Sequence, residues 1–232
     1  MIPEPLAARI QSTGIVAVLV IDNEEDGPSL ARALLAGGVD AMELTLRTPA
    51  ALGALRRIRA EVPEMLAGAG TVLTPAQVSE VKNAGAEFAV SPGVNPRVLK
   101  AAADVGMPFA PGISTPTDIE LALEGGCRML KFFPAEQSGG LPYLQAIAAP
   151  YRHLGVSFLP LGGLNEKNMA AYLSDSLVSA IGGSWLAPRE AIREARWSDI
   201  TSLAKTAVEI IKGLVQFRGE NGEFALAILS RC

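Results

Sequence analysis

Short apolar segments alternate with helix-like stretches along the whole chain. That alternation predicts an α/β protein, a (β/α)₈ TIM barrel formed by a single domain spanning residues 1–232. Three observations support the prediction. Eight strand-like runs recur at 14–20, 41–47, 66–71, 87–91, 107–112, 128–133, 156–162 and 177–182. The stretches between them repeat with helical period, as in 28–36, which is closed by Gly37-Gly38. Proline and glycine punctuate the pattern as helix termini require, with Pro28, Pro49, Pro75, Pro96 and Pro116 near helix starts and Gly37, Gly85, Gly106 and Gly125 after helix ends. Strand, helix, strand repeated in this way implies parallel pairing with right-handed crossovers.

Taken in order, residues 5–11 read as a helix plugging the bottom of the barrel, ahead of the first strand Val16-Ala17-Val18. The second strand ends in Glu43-Leu44-Thr45-Leu46-Arg47, and the third in Gly68-Ala69-Gly70-Thr71. The latter begins like GxGxxG but lacks the third glycine, so it has little weight as a dinucleotide site, and a doubly wound open sheet ranks second. The sixth strand, Arg128-Met129-Leu130-Lys131-Phe132-Phe133, is stopped by Pro134. The seventh closes on Gly162-Gly163 and the eighth on Gly182-Gly183. Residues 200–213 read as a further amphipathic helix, and the tail 217–232, with a turn at Gly219-Glu220-Asn221-Gly222, carries no identifiable chemistry.

Composition narrows the function. Hydrophobic residues make up 49% and charged residues 19% of the chain, enough for one large core. With a net charge of −4 and no Lys/Arg cluster, a nucleic-acid surface is not expected. No apolar run approaches the roughly 18 residues of a membrane span, and residues 1–11 lack a signal-peptide pattern. A cytoplasmic location without membrane partners is therefore expected. Two cysteines, Cys127 and Cys232, build neither a disulfide framework nor a metal knuckle, and Cys127 reads as a small buried hydrophobe. The single histidine, His153, excludes a multi-histidine zinc site and reads as a surface residue. No metal and no cofactor are expected.

The most informative residue is Lys131, a charge inside a strand buried on both faces. Such an ammonium needs a partner, or an environment that favours the neutral amine. A free lysine is neutral in only about one molecule in 2,500 at pH 7, and the neutral form is the nucleophile of Schiff-base chemistry. The plainer alternative is a lysine that snorkels to water or pairs with a carboxylate. Side chains two apart on a strand share a face, so Glu43, Thr45 and Arg47 point one way, and Met129, Lys131 and Phe133 point into the barrel. Charges on inward faces near strand C-termini suit a site better than a core. Glu43 could relay protons or form a buried salt bridge with Arg47 or Lys131. Arg47 could hold a substrate carboxylate with its guanidinium fork. Thr71 and Pro92 end strands at the same level and could line the pocket. The pairs Gly162-Gly163 and Gly182-Gly183, with Ser184, stand where barrels commonly bind phosphate.

These segments together resemble a known family. The stretches Glu43-Leu44-Thr45-Leu46-Arg47-Thr48, Gly68-Ala69-Gly70-Thr71-Val72, Ser91-Pro92-Gly93, Pro111-Gly112-Ile113-Ser114-Thr115, Lys131-Phe132-Phe133-Pro134-Ala135-Glu136 and Ile181-Gly182-Gly183-Ser184-Trp185 are similar to 2-keto-3-deoxy-6-phosphogluconate aldolases, from about Gly14 to about Pro188. The resemblance implies a class I aldolase on a (β/α)₈ barrel, usually a homotrimer. It implies a phosphorylated keto-acid substrate split into pyruvate and glyceraldehyde 3-phosphate, often with activity on 4-hydroxy-2-oxoglutarate, in the Entner–Doudoroff pathway. Carried over, Lys131 is the Schiff-base lysine and Glu43 the acid/base. Arg47 and Thr71 meet the pyruvyl carboxylate, Pro92 and Phe133 shape that pocket, and Gly162, Gly163, Gly182, Gly183 and Ser184 bind phosphate. Leu161 departs from the family's usual threonine before the glycine pair, which brings a galactonate-type epimer or a non-phosphorylated substrate into range. Two further readings compete: a phosphosugar isomerase or epimerase using Lys131 as a fixed charge, and a phosphosugar-binding sensor.

Overall fold

A computed structural model describes residues 1–220. Nine β-strands are found among them: β1 (Ile15–Leu19), β2 (Ala41–Thr45), β3 (Leu66–Gly70), β4 (Ala89–Val90), β5 (Phe109–Ala110), β6 (Gly112–Ile113), β7 (Met129–Phe132), β8 (Ser157–Pro160) and β9 (Ile181–Gly183). Six form a curled parallel sheet in the order β5-β4-β3-β2-β1-β9, and three a second parallel sheet, β6-β7-β8. Single parallel bridges also pair Phe158 with Val178 and Leu161 with Gly182.

The strands differ from the expected eight in instructive ways. The fifth segment is cut by Pro111, which has no N–H to give a ladder, so β5 pairs with β4 and β6 pairs with β7. Its carbonyl remains useful and accepts from the Lys131 N–H at 2.9 Å. The second segment stops at Thr45 rather than Arg47, which lies in a turn. The eighth becomes regular only at Ile181, its earlier part being held by the isolated bridge at Val178.

The helices are α1 (Glu4–Thr13), α2 (Asp26–Ala36), α3 (Ala51–Glu61), α4 (Pro75–Asn83), α5 (Pro96–Asp104), α6 (Pro116–Glu124), α7 (Gly140–Ala148), α8 (Met169–Leu173), α9 (Arg189–Arg193) and α10 (Trp197–Glu220). Pro75, Pro96 and Pro116 open their helices, and the residue before each accepts a backbone N–H through its side chain. Thr74 with Gln77 and Thr115 with Asp118 complete capping boxes. The helix expected at 28–36 starts two residues earlier, at Asp26. The helix expected at 200–213 runs from Trp197 to Glu220, and the remainder of the tail lies outside the described residues. His153 falls in a 3₁₀ turn, Ala149–Leu154, and is exposed.

Period-two alternation sorts the apolar side chains into two sets. Leu130 and Phe132 pack with the helices in the larger core. Met129 belongs instead to a smaller inner cluster with Val16, Ala41, Leu66, Phe88, Val90 and Leu159. The helix α1 packs against that inner cluster with Ile10, Leu6 and Ala7. Since all strands are parallel, the residues following their C-termini gather at one end.

Candidate active site

Two charged side chains sit in the inner cluster. Glu43, at the centre of β2, is 2% exposed, and Lys131, third of the four residues of β7, is 6% exposed. Lys131 Nζ donates to Glu43 Oε1 at 3.2 Å. The ammonium also lies 5.5 Å from the centroid of the Phe133 ring, a cation–π distance. Val16, Phe88, Val90, Leu159 and Leu161 wall the space around the pair, which measures about 10 Å³, roughly the volume one water needs. The salt bridge and the site are therefore the same two residues. Taking two charges out of water is costly, and the attraction between them recovers it only in good geometry.

Glycine makes this pairing possible. In the register of β2 with β3, Glu43 stands opposite Gly68 and Thr45 opposite Gly70. A Cβ at Gly70 would fall 1.8 Å from Glu43 Oε1, and one at Gly68 would fall 2.4 Å from the Phe88 ring. Both glycines thus leave room on the inner face, one for the carboxylate and one for the aromatic wall. A third glycine, Gly112, stands opposite Lys131 in register, and its missing Cβ would meet the Pro92 carbonyl at 2.1 Å.

The remaining expected residues lie on the rim at the strand C-termini. Arg47 lies in the turn after β2, is exposed and does not line the space beside Lys131. Its root is braced nonetheless: Arg47 Nε donates to Thr45 Oγ1 at 3.0 Å, and that hydroxyl donates to the Leu19 carbonyl at 2.8 Å. Thr71, just past β3, has φ +60, a conformation that costs a β-branched side chain energy and collects at functional sites. Pro92 is exposed. Leu161 is 6% exposed and borders the Lys131 space together with Gly182, whose Cβ would strike Leu161 Cγ at 2.3 Å. Gly162 and Gly163 take φ +98 and +79, conformations that favour glycine. Gly183 gives room to the Trp185 ring, and Ser184 is exposed.

The structure thus brings together Lys131, Glu43, Phe133, Leu161 and Gly182, while Arg47, Thr71, Pro92, Gly163 and Ser184 follow strand ends and do not line that space. Sequence reasoning missed Phe88 as a wall, Thr45 as the brace of Arg47, and the spatial purpose of Gly68 and Gly70. The signal for the last was present: two glycines on one face of a strand, beside a strand carrying an inward carboxylate. A buried amine touching a carboxylate in a nearly dry, apolar-walled space is suited to imine chemistry at a ketone.

Comparison with known proteins bears on this directly. The family model described as "Aldolase: KDPG and KHG aldolase" matches residues 6–203. A KHG/KDPG aldolase of Escherichia coli (strain K12) is 47% identical over 204 residues, covering 88% of this chain and 95% of that protein. A 2-dehydro-3-deoxy-phosphogluconate aldolase of Dickeya dadantii is 46% identical over 203 residues, covering 87% and 94%. Among solved structures, KDPG aldolase from Legionella pneumophila, with pyruvate captured at low pH as a covalent carbinolamine intermediate, aligns at a TM-score of 0.82. It is 40% identical and covers 87% of this chain and 97% of that one.

Proposed function

The chain belongs to the KDPG and KHG aldolase family, and from that premise we propose that its Lys131 and Glu43 cleave 2-keto-3-deoxy-6-phosphogluconate to pyruvate and glyceraldehyde 3-phosphate. The observation that carries the assignment is the 3.2 Å contact between a buried amine and a buried carboxylate. Passing one proton along that hydrogen bond leaves Lys131 free to attack the C2 ketone and Glu43 able to protonate the departing hydroxyl. Water leaves, and the product is a cationic imine. Glu43, again a carboxylate, takes the C4 hydroxyl proton directly or through one water. The C4 oxygen forms the aldehyde carbonyl while the C3–C4 electron pair moves into the imine as an enamine. Protonation at C3 and hydrolysis release pyruvate and regenerate the amine.

The rim supplies binding. Arg47 and Thr71 receive the pyruvyl carboxylate, with Pro92 and Phe133 bordering it, and the guanidinium is held for a bidentate contact by its anchor on Thr45. Gly162, Gly163, Gly182, Gly183 and Ser184 receive the distal phosphate through backbone N–H groups and the serine hydroxyl. The two sheets are two arcs of one (β/α)₈ barrel in a single domain. Strands β5 and β6 flank Pro111, the Phe158–Val178 bridge joins β8 to the approach of β9, and the Leu161–Gly182 bridge joins the residue after β8 to β9 itself. A homotrimeric assembly, from the family resemblance, and a cytoplasmic setting, from the sequence pattern, complete the reading; sedimentation of the purified chain tests the first.

One observation favours a wider substrate range. The side chain bordering the cavity at position 161 is leucine, with no hydroxyl to distinguish the two configurations of C4. The galactonate-derived epimer and 4-hydroxy-2-oxoglutarate are therefore substrates to compare. The test of the whole assignment is borohydride reduction in the presence of pyruvate. A stable adduct on Lys131 is expected; an adduct on another lysine removes the assignment of Lys131, and no adduct at all removes the Schiff-base reading and favours the isomerase or sensor.

A further inference from the structure

Two segments that flank the site are fastened to each other just outside it. After β7 the chain runs Phe133-Pro134-Ala135-Glu136, and after β8 it runs Leu161-Gly162-Gly163. The Ala135 N–H donates to the Leu161 carbonyl at 2.7 Å and the Glu136 N–H to the Gly162 carbonyl at 3.1 Å. The Glu136 side chain then lies across Gly163, where an added Cβ would fall 2.6 Å from Glu136 Cβ and 2.7 Å from its Cγ. Its far end is held too. Tyr172, on α8 and only 2% exposed, donates its hydroxyl to Glu136 Oε1 at 2.5 Å. On the other side, Asn165 Nδ2 and Asn168 Nδ2 donate to the Gly163 carbonyl at 3.3 and 3.2 Å.

The peptide planes on both sides of Gly163 are therefore pinned by their carbonyls, one through the Glu136 N–H and one through two asparagine amides. A planar trans peptide with its carbonyl fixed has its N–H fixed on the opposite edge. The Glu136 stem resting on Gly163 keeps the loop from shifting out of that arrangement, and Tyr172 keeps the stem in place. We propose that Tyr172 and Glu136 are positioning residues that set the Gly162-Gly163 backbone for the distal, phosphate-bearing half of the substrate. This rests on the reading that those glycines meet that half. Neither side chain need touch the substrate. Burial, together with the hydrogen bond to Glu136, raises the Tyr172 hydroxyl well above its ordinary pKa, so it keeps its proton and remains the donor throughout the working range.

The experiment separates the two halves of the substrate. Cleavage of 2-keto-3-deoxy-6-phosphogluconate needs both, whereas exchange of the pyruvate methyl protons with deuterated solvent needs only Lys131, Glu43 as the base that takes the C3 proton, and the pyruvyl pocket. In Tyr172→Phe, KM for cleavage is expected to rise about tenfold, the usual cost of one hydrogen bond to a charged acceptor. Its kcat and its pyruvate exchange should stay within about twofold. Glu136→Ala should reproduce this effect without touching a buried residue, since Glu136 is exposed. Glu136→Gln, which keeps the stem and an acceptor oxygen, should recover most of the loss. An unmoved KM in both Y172F and E136A, with exchange intact, overturns the positioning role alone. An equal loss in cleavage and in exchange also overturns it, because that is the signature of general damage. A wild-type protein that exchanges no pyruvate protons overturns the aldolase reading and this assignment with it.

Discussion

Two ion pairs of the molecule, one exposed and one buried, behave differently in principle. Arg189 grips Asp22 with two hydrogen bonds, Nε to Oδ2 at 2.8 Å and Nη2 to Oδ1 at 2.5 Å. Lys131 reaches Glu43 with one, at 3.2 Å. By geometry the first is the better pair. Yet its side chains are 56% and 33% exposed, and those of the second only 7% and 3%. Water and salt screen the exposed pair and solvate either partner once the other is gone. The buried pair has no such refuge, so each member depends on the other for charge compensation. That dependence gives the interior pair the capacity for chemistry: where no solvent competes, moving one proton changes what the amine can attack.

Removing the lysine should break the comparison most severely. In Lys131→Met, turnover is expected to fall by at least about 10⁴-fold, with no borohydride-stable pyruvate adduct by mass spectrometry. The same change leaves Glu43 buried without its partner, which should cost about 3–5 kcal/mol of unfolding free energy in urea titrations. The double variant Lys131→Met/Glu43→Gln sharpens the point. Replacing both charges should recover most of that stability, because the pair contributes little net once its desolvation is counted, while activity stays absent. Recovery of activity together with stability would reduce the pair to a structural bridge.

Next in size is Gly70→Ala. The new methyl would fall 1.8 Å from Glu43 Oε1 and must drive the carboxylate off Lys131. A displacement of about an ångström costs on the order of a hundredfold in rate. Turnover should fall by about that factor, while Lys131 still forms its adduct, more slowly. Loss of adduct equal to that in Lys131→Met would mean that the glycine serves the lysine rather than the carboxylate.

That glycine also marks where the sequence was readable and where it was not. The strands showed as apolar runs, and period two correctly placed Lys131, Met129 and Glu43 inward, because side-chain direction in a strand is local geometry. Arg47 lies two residues past the end of β2, and the hydrogen bond that anchors it on Thr45 was not legible in the alternation. Pro111 splits its strand by a missing donor, a consequence that only pairing partners reveal. The contact between Glu43 and Lys131 joins residues 88 apart in sequence, and nothing local sets their distance. The left-handed Thr71 was hidden for the opposite reason: its residue type argues against the conformation it adopts. Gly68 and Gly70 were visible as residues, but their purpose needed the register that sets them beside Glu43 and Phe88.

The smallest expected effect belongs to the exposed pair. The Arg189 hydrogen bond is the leading cause that holds the Asp22 carboxyl below its ordinary pKa of 3.8. A carboxylate depressed in the folded protein stabilises it above the unfolded-state pKa, and that contribution disappears as pH falls through the folded value. Asp22→Asn should therefore match wild type in melting temperature to within about 2 °C near neutrality, and the small difference should vanish in strongly acidic buffer. Added salt should shrink it as well, with no loss of turnover beyond about twofold. If Asp22→Asn instead lowered turnover as Gly70→Ala does, exposure would not be what separates the two pairs. The link from the loop after β1 to the first residue of α9 would then belong to the working site.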